Sequence, residues 1–406
     1  MKKRFGLLVV VIVALILCAP TAWAQEKTVK IGALSNQTGP NAYFGMSVLR
    51  SVQLAAKNIN ERGPLISGSG PGILVNGERY KLEVVSYDDG GNPANSVTGM
   101  RKLVEMSKVP VIFGPFGTPA TVACQEVNVG LNVLFSGLSS SDQVRRKGNP
   151  LYFQERNPAI YWAEPMAEAA YTKGFRKACV ITSINEAYVS YAQKFKSKFE
   201  SLGGKCLAFE IVDDRATTDY HSVMTSFKAK GADLIFFNFY EDPAALGVNH
   251  GLDAGYKGKF LLNSDWGKKS EKIVGLDRIQ GSIVEASHWM YYQAQPEADK
   301  EGHLTRFLKQ FKETYGDIPA QPGAHINGMV YMVARAMELS GSVTDPKAIR
   351  AAAPKALREG KMPLIYPNTD VLDNGLVYGA PDFILEVKGN GYSLVQEIQV
   401  PKSVLE

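Results

Sequence analysis

Cysteine and histidine are scarce, with 4 and 5 among 406 residues. No two cysteines lie close together and no histidine pair has ligand spacing, so a zinc scaffold has no support and no metal is expected. A Gly-rich run ending in Lys-Ser or Lys-Thr is missing, which removes the motif for phosphoryl transfer. No Gly-x-Ser-x-Gly elbow occurs, and that weighs against an α/β-hydrolase. His221, His250, His288, His303 and His325 stand in no nucleophile or metal signature. A surplus of one charge is lacking too. The formal net charge is +5, and removing Lys2, Lys3 and Arg4 with an N-terminal leader leaves +2, no basis for a nucleic-acid partner. What is present is a globular composition, 45% hydrophobic and 21% charged, in a chain long enough for two domains or three.

The one long apolar run is at the N-terminus. Lys2-Lys3-Arg4 precedes the charge-free stretch Phe5 to Leu17, and Ala22-Trp23-Ala24 then gives a small-x-small triplet before polar Gln25-Glu26-Lys27. This order predicts a secretory signal peptide, residues 1–24, cleaved after Ala24 to release an exported protein. A spanning helix would need about 20 apolar residues. Lipid attachment at Cys18 would call for small residues before it, where Ile16-Leu17 stand. Cleavage leaves Cys124, Cys179 and Cys206, an odd number. Cys179 and Cys206 each open a strand-like run, so whether they pair is open, whereas Cys124 reads as a buried small apolar residue.

Beyond the leader, strand-like and helix-like segments alternate. Val29 to Ala33, Tyr80 to Tyr87, Val109 to Phe113 and Val133 to Phe135 read as strands. Between them lie helices at Ser47 to Asn60, after Asn92-Pro93 and from Thr118-Pro119. The pattern restarts after Asn157-Pro158, with strands Ala178 to Thr182, Leu207 to Val212, Asp233 to Phe239, Phe260 to Asn263 and Ser282 to Ala286. Helices His303 to Tyr315 and Ala324 to Ser340 follow, then a hairpin around Gly389-Asn390-Gly391. Such alternation predicts parallel βαβ units, hence an α/β protein of two similar lobes.

In open parallel sheets, ligands lie at the carboxyl ends of strands. The first lobe places Gly114-Pro115-Phe116-Gly117-Thr118 and Ser136 to Asp142 there, hydroxyls and backbone N–H groups suited to a carboxylate. The second places Tyr188, Tyr240 and Asp265-Trp266 there. Hydroxyls and amides facing an acid and aromatic rings fit a small zwitterion with an apolar or aromatic side chain. Taken singly, each residue has a plainer use: Ser139 to Ser141 as a turn cap, Asp265 as a surface partner, Asp88-Asp89 as turn acceptors.

These segments also carry a resemblance. Ile31-Gly32-Ala33-Leu34-Ser35 through Gly39-Pro40 and Phe44-Gly45, then Ala55 to Asn60, Tyr87-Asp88-Asp89 with Pro93, and Val111 to Pro115 follow in the order and spacing of a known family. Over nearly all of the mature chain the sequence resembles the periplasmic substrate-binding proteins of branched-chain amino-acid (leucine/isoleucine/valine-type) ABC importers. The resemblance implies a type I periplasmic binding protein fold, two Rossmann-like lobes joined by a three-strand hinge. Its lobes would be 27–157 plus 287–377 and 158–286 plus 378–406. By position, Leu138, Ser139 and Ser140 match the loop that binds a ligand α-carboxylate, and Tyr188 and Asp265 match the pair holding the α-ammonium. Tyr240 matches a second-lobe aromatic, and Phe44 and His325 match the side-chain end. Thr118 stands where the family has a serine-rich loop, here shorter and without the serines. Phe116 with Trp266 makes a bulkier wall than usual.

The function implied is capture of an amino acid, branched-chain or otherwise apolar or aromatic, and its delivery to ABC permease subunits by a monomer with no cofactor and no enzymatic activity. The same fold with an aromatic carboxylate or amide is the alternative, as is a sensory rather than a transport role. An exported enzyme using Asp88-Asp89 or His325 is the competing class.

Overall fold

The computed structural model describes residues 27–39, 41–146, 148–213, 216–264 and 266–406. The expected leader, 1–24, and Asp265 lie outside the described residues. The chain forms two α/β lobes, each built on its own sheet. The first sheet contains β1 (Lys27–Ser35), β2 (Ile73–Val75), β3 (Glu78–Asp88), β4 (Val111–Phe116), β5 (Leu134–Leu138) and β6 (Tyr152–Gln154) in the order β2-β3-β1-β4-β5-β6. All its pairings are parallel except β2 with β3. The second contains β7 (Lys177–Ser183), β8 (Lys205–Val212), β9 (Leu234–Asn238), β10 (Lys259–Leu262) and β11 (Ile283–Ala286). After a short β12–β13 ribbon (Asp370–Val371, Val377–Tyr378), the hairpin β14 (Asp382–Lys388) and β15 (Gly391–Ile398) completes it, giving β15-β14-β11-β10-β9-β7-β8. Strand order therefore reverses beside β1 in one sheet and beside β7 in the other, and a crevice forms where that happens.

Both sheets bury two faces, which is why their strands read as continuous apolar runs. In the second sheet the pleat sends Val180, Phe236, Leu261 and Ile384 to one side, against Met166, Phe195 and Phe199. Ile181, Phe237, Leu262 and Leu385 go to the other, against Met224, Phe227 and Val248. Each such side chain contributes roughly 1.5–3 kcal/mol on burial. In the first lobe the helices Ala42–Arg62 and Gln321–Ser340 cover one face through Val48, Val52, Ile326 and Val330. Two motif glycines have steric reasons. A Cβ on Gly114, at φ +100°, would collide with the Leu34 carbonyl oxygen, and one on Gly45 with that of Asn36.

Asn92 caps its helix as expected, its Oδ1 accepting from the N–H groups of Ala94 and Asn95 at 2.9 and 3.2 Å. Thr118 differs: Gly117 is the N-cap and Thr118 the first helical residue, which frees its hydroxyl for another partner. Cys124, Cys179 and Cys206 are all free thiols. Cys179 and Cys206 lie on the paired strands β7 and β8, with Cys206 opposite Ala178. The helices His288–Ala294 and His303–Tyr315 pack into the second lobe's core through Trp289, Met290, Phe307 and Phe311, and that core also takes in Leu54 of the first lobe. No helix among the described residues is long and apolar enough to cross a membrane.

Candidate binding site

The carboxyl ends of β4 and β5 face those of β7, β9 and β10 across a cleft of about 670 Å³, its open mouth included. From the first lobe it is lined by Phe116, Thr118, Leu138, Ser139 and Ser140; from the second by Asn185, Tyr188, Tyr191, Tyr240, Asn263 and Ser264. Glu155 and Arg156 enter just after β6, and Gln321, Pro322 and His325 from the start of the helix Gln321–Ser340.

The first-lobe wall is a hydroxyl loop held from behind. Thr118 Oγ1 and Ser139 Oγ share a hydrogen bond of 2.9 Å. The buried Gln154 amide donates to the carbonyls of Ser139 (3.1 Å) and Ser141 (3.2 Å). One of the loop's amides is already committed: the Ser141 N–H donates to Ser139 Oγ at 3.2 Å. Ser139 is buried and Ser140 half-buried, beside the start of the helix Thr118–Gln125, whose first N–H groups have no partner within the helix.

The second-lobe wall is aromatic and rests on a chain of buried amides. Tyr188 stands in the first turn of the helix Glu186–Ser201, which Asn185 caps by accepting from the Ala187 N–H at 3.1 Å. Tyr188 meets Tyr240 edge to face, with centroids 5.1 Å apart. Behind them Asn238 Nδ2 donates to the Tyr188 carbonyl (2.6 Å) and Thr182 Oγ1 (3.1 Å), while its Oδ1 accepts from Asn263 (3.1 Å). The lobes make contact at the cleft itself. Ser141 Oγ donates to Glu186 Oε2 at 2.9 Å. Phe44, stacked on Phe116 at 5.2 Å and 10°, reaches Tyr240 at 6.3 Å.

Of the expected residues, Leu138, Ser139, Ser140, Thr118, Phe116, Tyr188, Tyr240 and His325 converge on this cleft, and Phe44 adjoins it through Phe116 and Tyr240. Trp266 does not. The chain turns after β10, with the Trp266 N–H bonded to the Asn263 carbonyl. This folds the indole into the second lobe's core, where Nε1 donates to the Tyr392 hydroxyl at 3.1 Å. The bulky wall is therefore Phe116 with Phe44, not Phe116 with Trp266.

Asp88 and Asp89 act in turns. Asp88 accepts from the Gln37 and Gly90 N–H groups and from the Thr38 hydroxyl, and Asp89 from the Gly91 N–H and the Ser96 hydroxyl. One group among the described residues has the composition of a metal site, Asp219 with His221 and His250. The two imidazoles are stacked with centroids 3.8 Å apart at 25°, and His250 Nδ1 already accepts from the Tyr220 N–H, which leaves only its Nε2 lone pair to offer.

Glu155, Arg156, Asn185, Asn263 and Gln321 went unnoticed in the sequence. Arg156 bonds Ser264 Oγ (3.2 Å) and lies over the Trp162 ring. Burial pushes the Glu155 carboxyl up to about 8, against the pull of Arg156 and the Ser139 N–H. Burial pulls His325 well below the usual histidine range, helped by Arg156 and His288. His325 stacks on Tyr366 at 3.7 Å. The only signal for Glu155 was a charged pair, Glu155-Arg156, closing the short run Tyr152-Phe153-Gln154.

Two lobes facing each other across a cleft lined with hydroxyls and aromatic rings have the architecture of a solute-binding protein. The sequence model of the periplasmic binding protein family matches residues 28–375, and the chain belongs to that family, whose members are solute-binding proteins of ABC-type transporters and not enzymes. It is 25% identical over 251 residues to an amino acid binding protein of Pseudomonas aeruginosa, a match spanning 60% of this chain and 62% of the relative. It is 21% identical to Leu/Ile/Val-binding protein homolog 7 of Brucella abortus, over 72% of each. Among solved structures, a solute binding protein from R. palustris in complex with 4-hydroxybenzoate superposes with a TM-score of 0.74 at 20% identity, covering 92% of this chain and 97% of that one.

Proposed function

We propose that the protein is the extracytoplasmic receptor of an ABC importer, which captures an amino acid or a small aromatic acid between its lobes and presents it to the permease. The observation that carries this reading is the opposition of Thr118, Ser139 and Ser140 to Tyr188 and Tyr240 across the crevice at the strand ends. A carboxylate meets the Thr118 and Ser139 hydroxyls and the Ser140 amide, and the hydrophobic part of the solute lies on the Phe116 and Tyr188 rings. In the amino-acid form of this reading Asp265 holds the α-ammonium. The ring cluster of Phe44, Phe116, Tyr188 and Tyr240 supports the aromatic-acid form equally. Contacts to both lobes at once favour the closed arrangement, a population shift about the hinge. We assign 27–157 with 287–377 and 158–286 with 378–406 to the lobes, bridged by the helices between His288 and Tyr315. Residues 1–24 are the export signal, so the mature chain starts at Gln25.

Thermal unfolding of the mature protein against amino acids and aromatic acids tests this. A solute at about 1,000 times its Kd adds roughly 4 kcal/mol and raises the midpoint by several degrees. Loss of the amino-acid shift in Asp265→Asn selects the first form, and a shift confined to amine-free acids selects the second. No shift with either panel refutes the reading.

A further inference from the structure

At the inner end of the cleft, towards the hinge, two side chains are buried and incomplete. Glu155 is 3% exposed and His325 7%. Glu155 Oε2 and both ring nitrogens of His325 have no hydrogen-bond partner in the protein. Both residues line the cleft and also the recess that continues behind it, where Asn157 Oδ1 is likewise unpartnered. Native proteins complete nearly all such atoms, because each one left bare forfeits its solvation for nothing. Four incomplete atoms on three residues around one space indicate that something entering that space completes them.

Resting on the reading above, we propose that the solute carries a second polar group, an uncharged hydroxyl or primary amide that both gives and accepts a hydrogen bond, and that Glu155 and His325 receive it at the inner end of the cleft. The protein is then selective for such solutes over hydrocarbon ones of the same shape. The chemistry of the two residues is matched to this group. Held neutral by burial, His325 offers one N–H and one lone pair. Burial raises the Glu155 carboxyl to about 8, so near neutral pH it is protonated and offers both an O–H and an acceptor oxygen, with Oε2 unpartnered. A methyl group in the same place would leave all of these atoms bare, the circumstance in which a polar site rejects an isostere most strongly.

Calorimetric titration with two isosteric pairs tests the proposal: asparagine against leucine, and 4-hydroxybenzoate against 4-methylbenzoate. The polar member of at least one pair is expected to bind about 100-fold more tightly than its partner. In Glu155→Met combined with His325→Phe this preference is expected to fall below about threefold, while the free protein melts no lower than wild type, since two incomplete polar groups have been removed. Glu155→Gln, which keeps a donor and an acceptor, should retain most of the preference. Equal binding within each pair to the wild type would overturn the proposal and leave the receptor reading standing, with water completing the cleft's inner end. A preference that survives the double variant, or a variant that melts lower and keeps the preference, would assign these residues a structural role and overturn it too. Binding of none of the four, together with an empty thermal panel, would remove the receptor reading and this proposal with it.

Discussion

The two walls of the cleft solve one positioning problem by different means. The first-lobe wall is mostly loop, its backbone held by hydrogen bonds that the Gln154 amide donates to the Ser139 and Ser141 carbonyls. The second-lobe wall is made of rings mounted on helix starts and held through the buried chain Thr182–Asn238–Asn263. A loop wall of small polar groups supplies direction, and a ring wall supplies area; removing a part from each should therefore fail differently.

The largest effect is expected from Asn238→Leu. It strips partners from the Tyr188 carbonyl, Thr182 and Asn263 together, at a cost of about 2–4 kcal/mol, and should lower the melting midpoint by roughly 5–10 °C, read by calorimetry. Next comes the contrast between the walls themselves. Tyr188→Ala should weaken solute binding by about 100-fold and Ser139→Ala by about 10-fold, with titration of one solute against both variants as the check. Equal losses would erase the distinction drawn here. The smallest effect is in pH dependence. The Glu155 carboxyl, ordinarily near 4.5, is raised to about 8 in the fold. Between those values the native state holds a proton that the unfolded chain has released. This contribution to stability is therefore full at the acid end of the window and is lost as pH rises to about 8. Asp382, raised by burial and by Glu285, tilts the curve the same way. Glu155→Gln should flatten the fall in melting midpoint between pH 5 and 8; an unchanged slope would place the titration elsewhere.

Much of this was legible in the sequence, for identifiable reasons. Runs such as Leu234 to Phe237 are apolar on both faces because the sheet is covered on both faces, and that pattern needs no tertiary information. The strand-end rule then brought Ser139, Ser140, Tyr188 and Tyr240 to one crevice. It misplaced Trp266 because the turn after β10 decides which side chain faces the cleft, and turn direction is not written in periodicity. It passed over Glu155 because β6 is three residues long, too short to show a period, and because a charged residue after a short apolar stretch reads as surface until the fold encloses it.

The hydrogen bond from Ser141 to Glu186 joins the lobes without any solute atom. Under the receptor reading it would serve as a latch made by the chain itself, so that part of the free energy of the shut arrangement is independent of solute. Such a latch raises the fraction of receptors already shaped to hold a solute, and apparent affinity rises in proportion. On the reading proposed above, the same bond also sets how often the lobes close with no solute between them. A serine–glutamate contact of this kind thus weighs sensitivity to dilute solute against closure on an empty cleft.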